Sequence, residues 1–498
     1  MSFFSDFWRI HPALFVGLHL LLGAAFALHG HWLYPIFFLL LWSPFLYPIN
    51  LSKLLKLGSY FFLSCVTFAY AAFLYPEIQL PSKELKGTGL FSISNLKVHA
   101  SPFQKSYLYQ GTMKCFESES GMKLTNLPCT ILVPLNKGRI HADRDYLVNG
   151  KLSEKENRNF LLKLDKNNSW LPVKDTFSFA EWRYTAKEKI SLYLKKVLND
   201  DHARLFLNAL LTGDVEERSV FLEFGHFGLQ HILAISGFHF GLLAAFCTFF
   251  LRLFLSPRNT ALLSLIFLSG YCFFIGNGAS VQRAWIMIFI FLFGRLCNLR
   301  CSGLNALGIA LIIEILIDPL IITKFGFQLS FLCTFAILLF YSQANRLLGI
   351  VLRPRSKSTL ANMNLLHQHG YLFSATIRNA LALNVSVHLF TLPVMLYYFH
   401  KFPLLSLAYN LFVPLLAACS FFLLLISMLL TCLLPPIAII LHHANDRFTS
   451  SWLQMIANSP AYMDFFIRIK TFPFVLLAIL LFFLTMTGIH INKRTRID

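Results

Sequence analysis

The stretch HILAISGFHFG, residues 231–241, sets two histidines, a serine and two glycines at the mouth of a long apolar run. Metal binding is the first chemistry such residues suggest. On a helix His231 and His239 share a face, but eight residues separate them by about 12 Å along the axis. That is too far for one ion, so the motif calls for no metal, and the chain for no cofactor. Hydrolysis is the second. Ser236 beside Gly237 fits a nucleophile elbow, yet G-x-S-x-G is absent and residues 224–313 hold no carboxylate to complete a local triad. No catalytic residue is assigned. Close helix packing is the third, because Gly237 and Gly241 form G-x-x-x-G, but it leaves Ser236 and His239 unexplained. What remains is a broken helix lining an aqueous path, since free backbone at membrane depth is tolerated only against protein or water. Ionisable groups at that depth are site candidates by default. Arg283 in GASVQRAWIM, Glu314 and Asp318 in IIEILIDP, and Gln328 and Ser330 in GFQLSF extend the set. The Arg283 guanidinium can meet a carboxylate such as Glu314 or a passing phosphate.

These residues need a membrane-embedded scaffold, and the composition supplies one. Hydrophobic residues make up 56% of the 498, aromatics 15%, and the mean hydropathy is +0.60. Apolar runs recur at about 12–29, 31–49, 57–75, 231–251, 259–275, 303–317, 325–341, 380–399, 404–434 and 472–490. Such runs cross ~30 Å of hydrocarbon as helices, so a polytopic α-helical membrane protein of about ten transmembrane helices is expected, its first run a retained signal anchor. The net charge of +19 is concentrated in residues 231–498, with 18 basic against five acidic side chains. Loop clusters such as Arg295 and Arg300, then Arg346, Arg353, Arg355 and Lys357, fit positive-inside charge. Basicity alone does not establish nucleic-acid binding. Loop charges put the amino terminus and the tail inside, and the polar segment after the third span outside. The stretch 435–470 reads equally as a short span or an interfacial helix.

The expected organisation is three helices in 1–76, a small extracytoplasmic β domain in 77–182, amphipathic helices in 183–230, a channel domain in 231–491 and a tail in 492–498. LYQGTMKCF, CTILVP, DYLVNGKL and NFLLKLD read as short strands and suit a small OB-like barrel. There Cys115 and Cys129 could form a disulfide between adjacent strands. Aromatics such as Tyr107, Tyr109, Tyr146 and Trp170 could stack on bases or pack the core. Residues 181–230 place Ile190, Tyr193, Leu194 and Val197 at helical spacing opposite Lys and Arg. That pattern fits a membrane-surface helix or a packing face.

NALLTGDVEERSVFLEFGHFGLQHILAISGFHFGLLAA resembles the signature of the ComEC family of competence proteins. GASVQRAWIMIFIF, NALGIALIIEILIDPLIITKFGFQLSFLCTFAILLF and TLPVMLYYFHKFPLLSLAYNLFVPLLA are similar to the family's later segments, in the same order, from about 200 to 420. The resemblance implies a channel passing single-stranded DNA through the bacterial cytoplasmic (inner) membrane during natural transformation, with no enzymatic step. By motif position it singles out Asp214, His231, Ser236, Gly237, His239, Arg283, Gln328 and Ser330. It implies single-stranded DNA and membrane lipid as partners, together with a DNA receptor, a helicase or ATPase, a separate nuclease and further copies of the chain. Many members carry a carboxyl-terminal metallo-β-lactamase-like domain. Here His367 and His369 lack the following Asp-His, and His442, His443 and Asp446 lack the pattern too, so a form without that domain is expected. The competing classes are a transporter or flippase for a lipid or small solute with the same broken-helix site, and a scaffold without transport.

Overall fold

The computed structural model describes the chain apart from residues 1, 32, 43–50, 79–82, 101–104, 156–157, 166–169, 176–177, 234, 277, 459–464 and 498. Helices α1 (Ser2–Ile10), α2 (Pro12–His29), α3 (Leu33–Trp42) and α4 (Leu51–Leu74) lead into strands β1 (Leu85–Ala100), β2 (Lys105–Ser118), β3 (Lys123–Pro134), β4 (Arg144–Lys155), β5 (Asn159–Leu164) and β6 (Leu171–Asp175). Helices α5 (Phe179–Val197), α6 (Asp201–Thr212), α7 (Arg218–His226), α8 (Gln230–Leu233), α9 (Gly237–Arg252), α10 (Pro257–Ile275), α11 (Ala279–Leu296) and α12 (Gly303–Ile317) follow. Then come α13 (Phe325–Val351), α14 (Lys357–Ala361), α15 (Leu365–Phe399), β7 (Lys401–Pro403), α16 (Ser406–Leu433), α17 (Pro435–Ala457), β8 (Phe466–Arg468) and α18 (Phe474–Ile497).

Among the described residues eight helices are long and apolar enough to cross a membrane: α2, α4, α10, α11, α13, α15, α16 and α18. The chain is thus mostly helical, with a small sheet domain towards its amino terminus. The expected run 31–49 is α3 as far as residue 42, and its remainder falls outside the described residues. The runs 231–251 and 303–317 correspond to α9 and α12, both apolar but shorter than the others. At 1.5 Å per residue each extends less than the ~30 Å of a hydrocarbon core. Helix α11, not among the apolar runs expected to cross, is long and apolar enough to do so; Gln282 and Arg283 near its start interrupt the apolar pattern.

Glycines set the closest helix contacts. A Cβ at Gly308 on α12 would strike the backbone of Ala13 and Leu14 on α2, and one at Gly23 would strike the Ser64 backbone on α4. Ser64 Oγ then donates to the His19 carbonyl at 2.9 Å. Helix α2 is therefore held by its neighbours through backbone proximity, as small residues allow in lipid.

In the sheet domain β1 pairs with β2 and β4, β2 with β3, β3 with β5 and β5 with β4, closing a five-strand ring; β6 adds to β4. All these pairings are antiparallel except β3 with β5. Alternate residues point inward, so Phe91, Tyr109, Met113, Phe116, Ile131, Val148 and Leu152 fill the interior. Tyr109 is fully buried and Tyr146 nearly so, and both pack against Trp170. These rings are core and are not presented for stacking on bases.

The cysteines of this domain are unpaired, which corrects the expected disulfide. Cys115 stands opposite Thr125 and Cys129 opposite Gly111, four register positions apart, or about 13 Å along the strands. Cys115 faces out and Cys129 faces in. Burial pushes the Cys129 thiol up to about 12, leaving it protonated at neutral pH and a poor nucleophile. Maleimide labelling followed by peptide mapping is therefore expected to modify Cys115 in the folded protein and Cys129 only after unfolding. Equal labelling of both would contradict this strand register.

Helix α5 resolves its two readings towards packing. Leu194 is fully buried, and Ile190, Tyr193 and Val197 lie against a core built from α6, α7, α16 and α17. Tyr193 Oη meets Thr431 Oγ1 at 2.8 Å and His442 Nε2 at 2.9 Å. The Asp446 carboxylate accepts the Asn199 backbone N–H at 3.0 Å, fastening the α5–α6 connection. His442 and Asp446 thus serve as fasteners. The barrel joins the helices through Glu181, which accepts from Ala142 N–H and pairs with Arg139, both at 2.8 Å. Burial alone would raise the Glu181 carboxyl, but Ala142, His141 and Arg139 together hold it below its ordinary value.

Candidate functional site

The helix beginning at His231 does break. Helix α8 ends at Leu233 and α9 begins at Gly237, with Ser236 extended between them as the N-cap. Ser236 Oγ accepts the Phe238 N–H at 3.3 Å, and the Ser236 N–H donates to His239 Nδ1 at 3.1 Å. Serine and histidine thus act as a reciprocal capping pair for amide groups that lipid could not satisfy. The bond fixes His239 Nδ1 as acceptor. Its Nε2 is buried without a hydrogen-bond partner among the described residues.

His231 sits on α8, its Nδ1 3.1 Å from the Gly228 carbonyl. Its side chain is exposed. His388, in the middle of α15, lies within electrostatic reach of it, with Nδ1 2.8 Å from the Asn384 carbonyl and its ring against Phe402. The sequence signal for His388 was plain, a lone histidine inside an apolar span, but no motif drew attention to it.

Arg283 reaches the break from α11. Its Nη2 lies 2.9 Å from where a Cβ on Gly237 would stand, so glycine there makes room for a guanidinium. Arg283 Nε donates to Ser330 Oγ on α13 at 2.9 Å, and Nη1 contacts Met287 Sδ at 3.5 Å. The Phe331 ring lies 6.0 Å from the guanidinium carbon. Ser236, Gly237, His239, Arg283 and Ser330 are thereby one assembly drawn from α9, α11 and α13. Glu314 on α12 lies within electrostatic reach of Arg283, yet neither of its carboxyl oxygens has a hydrogen-bond partner among the described residues.

Gln328 and Asp214 stand apart from that assembly. Positions two apart on a helix point roughly 200° apart, so Gln328 turns from Arg283 towards α15. It accepts from Tyr398 Oη at 2.6 Å and donates to the Ile322 carbonyl at 2.9 Å. Asp214 pairs with Lys187 at 3.1 Å and lies 3.9 Å from Lys97 on β1. It is a tie between the sheet domain, α5 and the end of α6. The neighbouring Gly213, in a left-handed conformation, sits against Ile235, so this tie abuts the break.

The sequence match decides which family this is. Residues 210–494 match the family model described as competence protein. The chain belongs to the competence protein family. The matched region of this competence protein contains all eight residues singled out by motif position. Over 220 residues it is 30% identical to ComE operon protein 3 of Bacillus subtilis (strain 168), covering 43% of this chain and 25% of that relative. The matched stretch therefore spans about a quarter of the relative's length. No solved structure matches the chain.

Proposed function

We propose that this competence protein passes single-stranded DNA across the bacterial cytoplasmic membrane during natural transformation. His231, Ser236, Gly237 and His239 line the path at the α8–α9 break, and Arg283 and Ser330 supply its charge and hydrogen bonding. The observation that carries the reading is the break itself. It is a capped helix start with a buried guanidinium against it and the exposed His231 just before it. A conduit that tolerates every base must contact phosphates rather than base edges, and one fixed cation at a constriction meets that need.

In this reading residues 77–182 form an OB-like domain on the extracytoplasmic side. The closed ring in the order β1-β2-β3-β5-β4, returning to β1, supports that assignment. Residues 231–491 form the conduit, with α9 and α12 as short helices completing about ten membrane-embedded segments. The chain makes and breaks no bonds. Strand capture, pulling and degradation fall to a DNA receptor, a helicase or ATPase and a separate nuclease. Membrane lipid, and further copies of the chain, surround the bundle.

Following labelled DNA in intact cells and in cells deleted for this chain tests the proposal. Deleted cells are expected to keep surface-bound label and to lose its entry into the cytoplasm. Unchanged entry, with an envelope defect that appears without added DNA, would replace the reading with a lipid or solute transporter.

A further inference from the structure

Helix α10 shows which of its sides meets lipid. Leu262, Leu263, Ile266, Phe267 and Phe273 are exposed at helical spacing, while Thr260, Ala261, Ser264 and Leu268 on the other side are buried. On a helix of membrane length such an exposed apolar stripe faces acyl chains. The helix has 19 residues, about 28 Å, and so only just crosses the hydrocarbon. Phe273, near its carboxyl end at Ile275, therefore lies at the boundary with the headgroups. The stripe does not stop there. The Phe179 ring meets Phe273 edge-on at 4.4 Å, and the Trp182 ring lies 6.2 Å from it. Both rings belong to the first turn of α5, where Ser178 accepts the Ala180 N–H at 3.1 Å as the cap. Phe179 is 46% exposed and Trp182 50%. Arg183 locks this turn in place: its Nη2 donates to the Ser94 carbonyl on β1 at 2.7 Å, and its side chain packs over Gly276 at the end of α10. Further along α5 the exposed residues include Glu188, Lys189, Lys195 and Lys196.

We propose that the first turn of α5 is an interfacial anchor, with Phe179 and Trp182 inserted into the bilayer leaflet on the side of the sheet domain. The occupant of this surface is the bilayer because the two rings continue a lipid-facing stripe through Phe273 without a gap. They also lie at the depth where an indole is favoured, its apolar body among acyl chains and its N–H among headgroups. A soluble partner or a second copy would have to displace lipid from the end of α10 to cover them. The charged residues that follow keep the rest of the outward side of α5 in water, so contact is confined to one turn. Through Arg183 and Ser94 the anchor holds the sheet domain at a fixed height against the bilayer instead of leaving it to swing above the bundle. The inference needs α10 to cross the membrane; it does not need the chain to carry DNA.

The test uses the full chain in phosphatidylcholine nanodiscs and the difference in tryptophan emission between the original chain and Trp182→Phe, a change small enough to keep the fold. That difference isolates the indole at 182 from the other six. Lipid brominated near the headgroup end of its acyl chains is expected to quench it by about half, as an interfacial indole should be. Bromine near the methyl ends should quench it far less, and aqueous iodide should barely touch it. Leu192, 55% exposed two and a half turns further along α5, supplies the contrast. Leu192→Trp, made in the Trp182→Phe chain, should add emission that iodide quenches and brominated lipid does not. Strong iodide quenching at 182 would leave the turn in water and overturn the anchor. Shielding of 182 from iodide and from both brominated lipids would overturn it in favour of a protein cover, a second copy included. Lipid quenching at 192 as well would overturn the confinement to one turn. None of these results bears on DNA conduction, which the uptake experiment decides separately.

Discussion

Gly308→Val is expected to remove most of the folded protein from the membrane. The backbone of α2 at Ala13 and Leu14 occupies the space a side chain would need, and backbone cannot swing aside as a flexible side chain can. Helix α2 also contacts α4 through Gly23, so displacing it disturbs both interfaces. Overpacking a close contact costs ~3 kcal/mol, and with two interfaces involved a protein of ordinary marginal stability has little left. Thermal unfolding in detergent, read with the amount of protein recovered from membranes, checks this. Gly241→Val is the control: a Cβ there meets no neighbour, so G-x-x-x-G at 237–241 is not a helix-packing face on that side. Equal loss in both variants would refute the close-contact account of α2.

Asp214→Asn is expected to destabilise the protein by ~3 kcal/mol, because it leaves the Lys187 ammonium buried with its main partner gone. The Lys187 side chain is 8% exposed and that of Asp214 16%, so solvent screens the pair little. Burial holds the Lys187 pKa below its ordinary value, against the upward pull of Asp214. Losing Asp214 removes that pull and lowers it further. A lysine whose folded pKa is depressed gives up its proton sooner in the native state than in the unfolded one. Stability therefore rises with pH between the folded pKa and the unfolded value, and the deficit of Asp214→Asn should shrink as pH is raised towards the lysine range. The double change Asp214→Leu, Lys187→Met should recover most of the loss, since an apolar pair of similar size can replace a buried ion pair. A pH-independent deficit, or a double variant no better than the single, would dismiss the tie. Selective loss of DNA entry with stability unchanged would instead return Asp214 to the DNA path.

The comparison of these residues explains what was legible in the sequence. The break at Ser236 and Gly237 could be read because local rules govern it: a serine that caps, a glycine that weakens, and lipid that forbids free amides. Arg283 could be read because a charge bordered by the apolar residues that follow it stands out. Asp214 could not be assigned from its motif, because Lys187 and Lys97 are brought to it by the fold and carry no mark of it in sequence. The same limit hid the register that separates Cys115 from Cys129. Strand β1 escaped notice for a different reason. Gly87, Gly89 and its serines look like a loop, whereas those glycines are where crossing strands come too close for a side chain. Apolar runs thus located most of the membrane-length helices, α11 excepted, and tertiary contact decided which polar residues come together and which merely hold the scaffold.

The closed ring of β1 to β5 has one further consequence. An open sheet offers its unpaired rim to any extended chain. Here the strand left outside the ring is β6, paired to β4 alone and five residues long. Its second residue is Pro172, which has no amide hydrogen to offer a newcomer. The domain is in this way a poor template for strand addition, and copies of it can meet at high concentration without polymerising edge to edge.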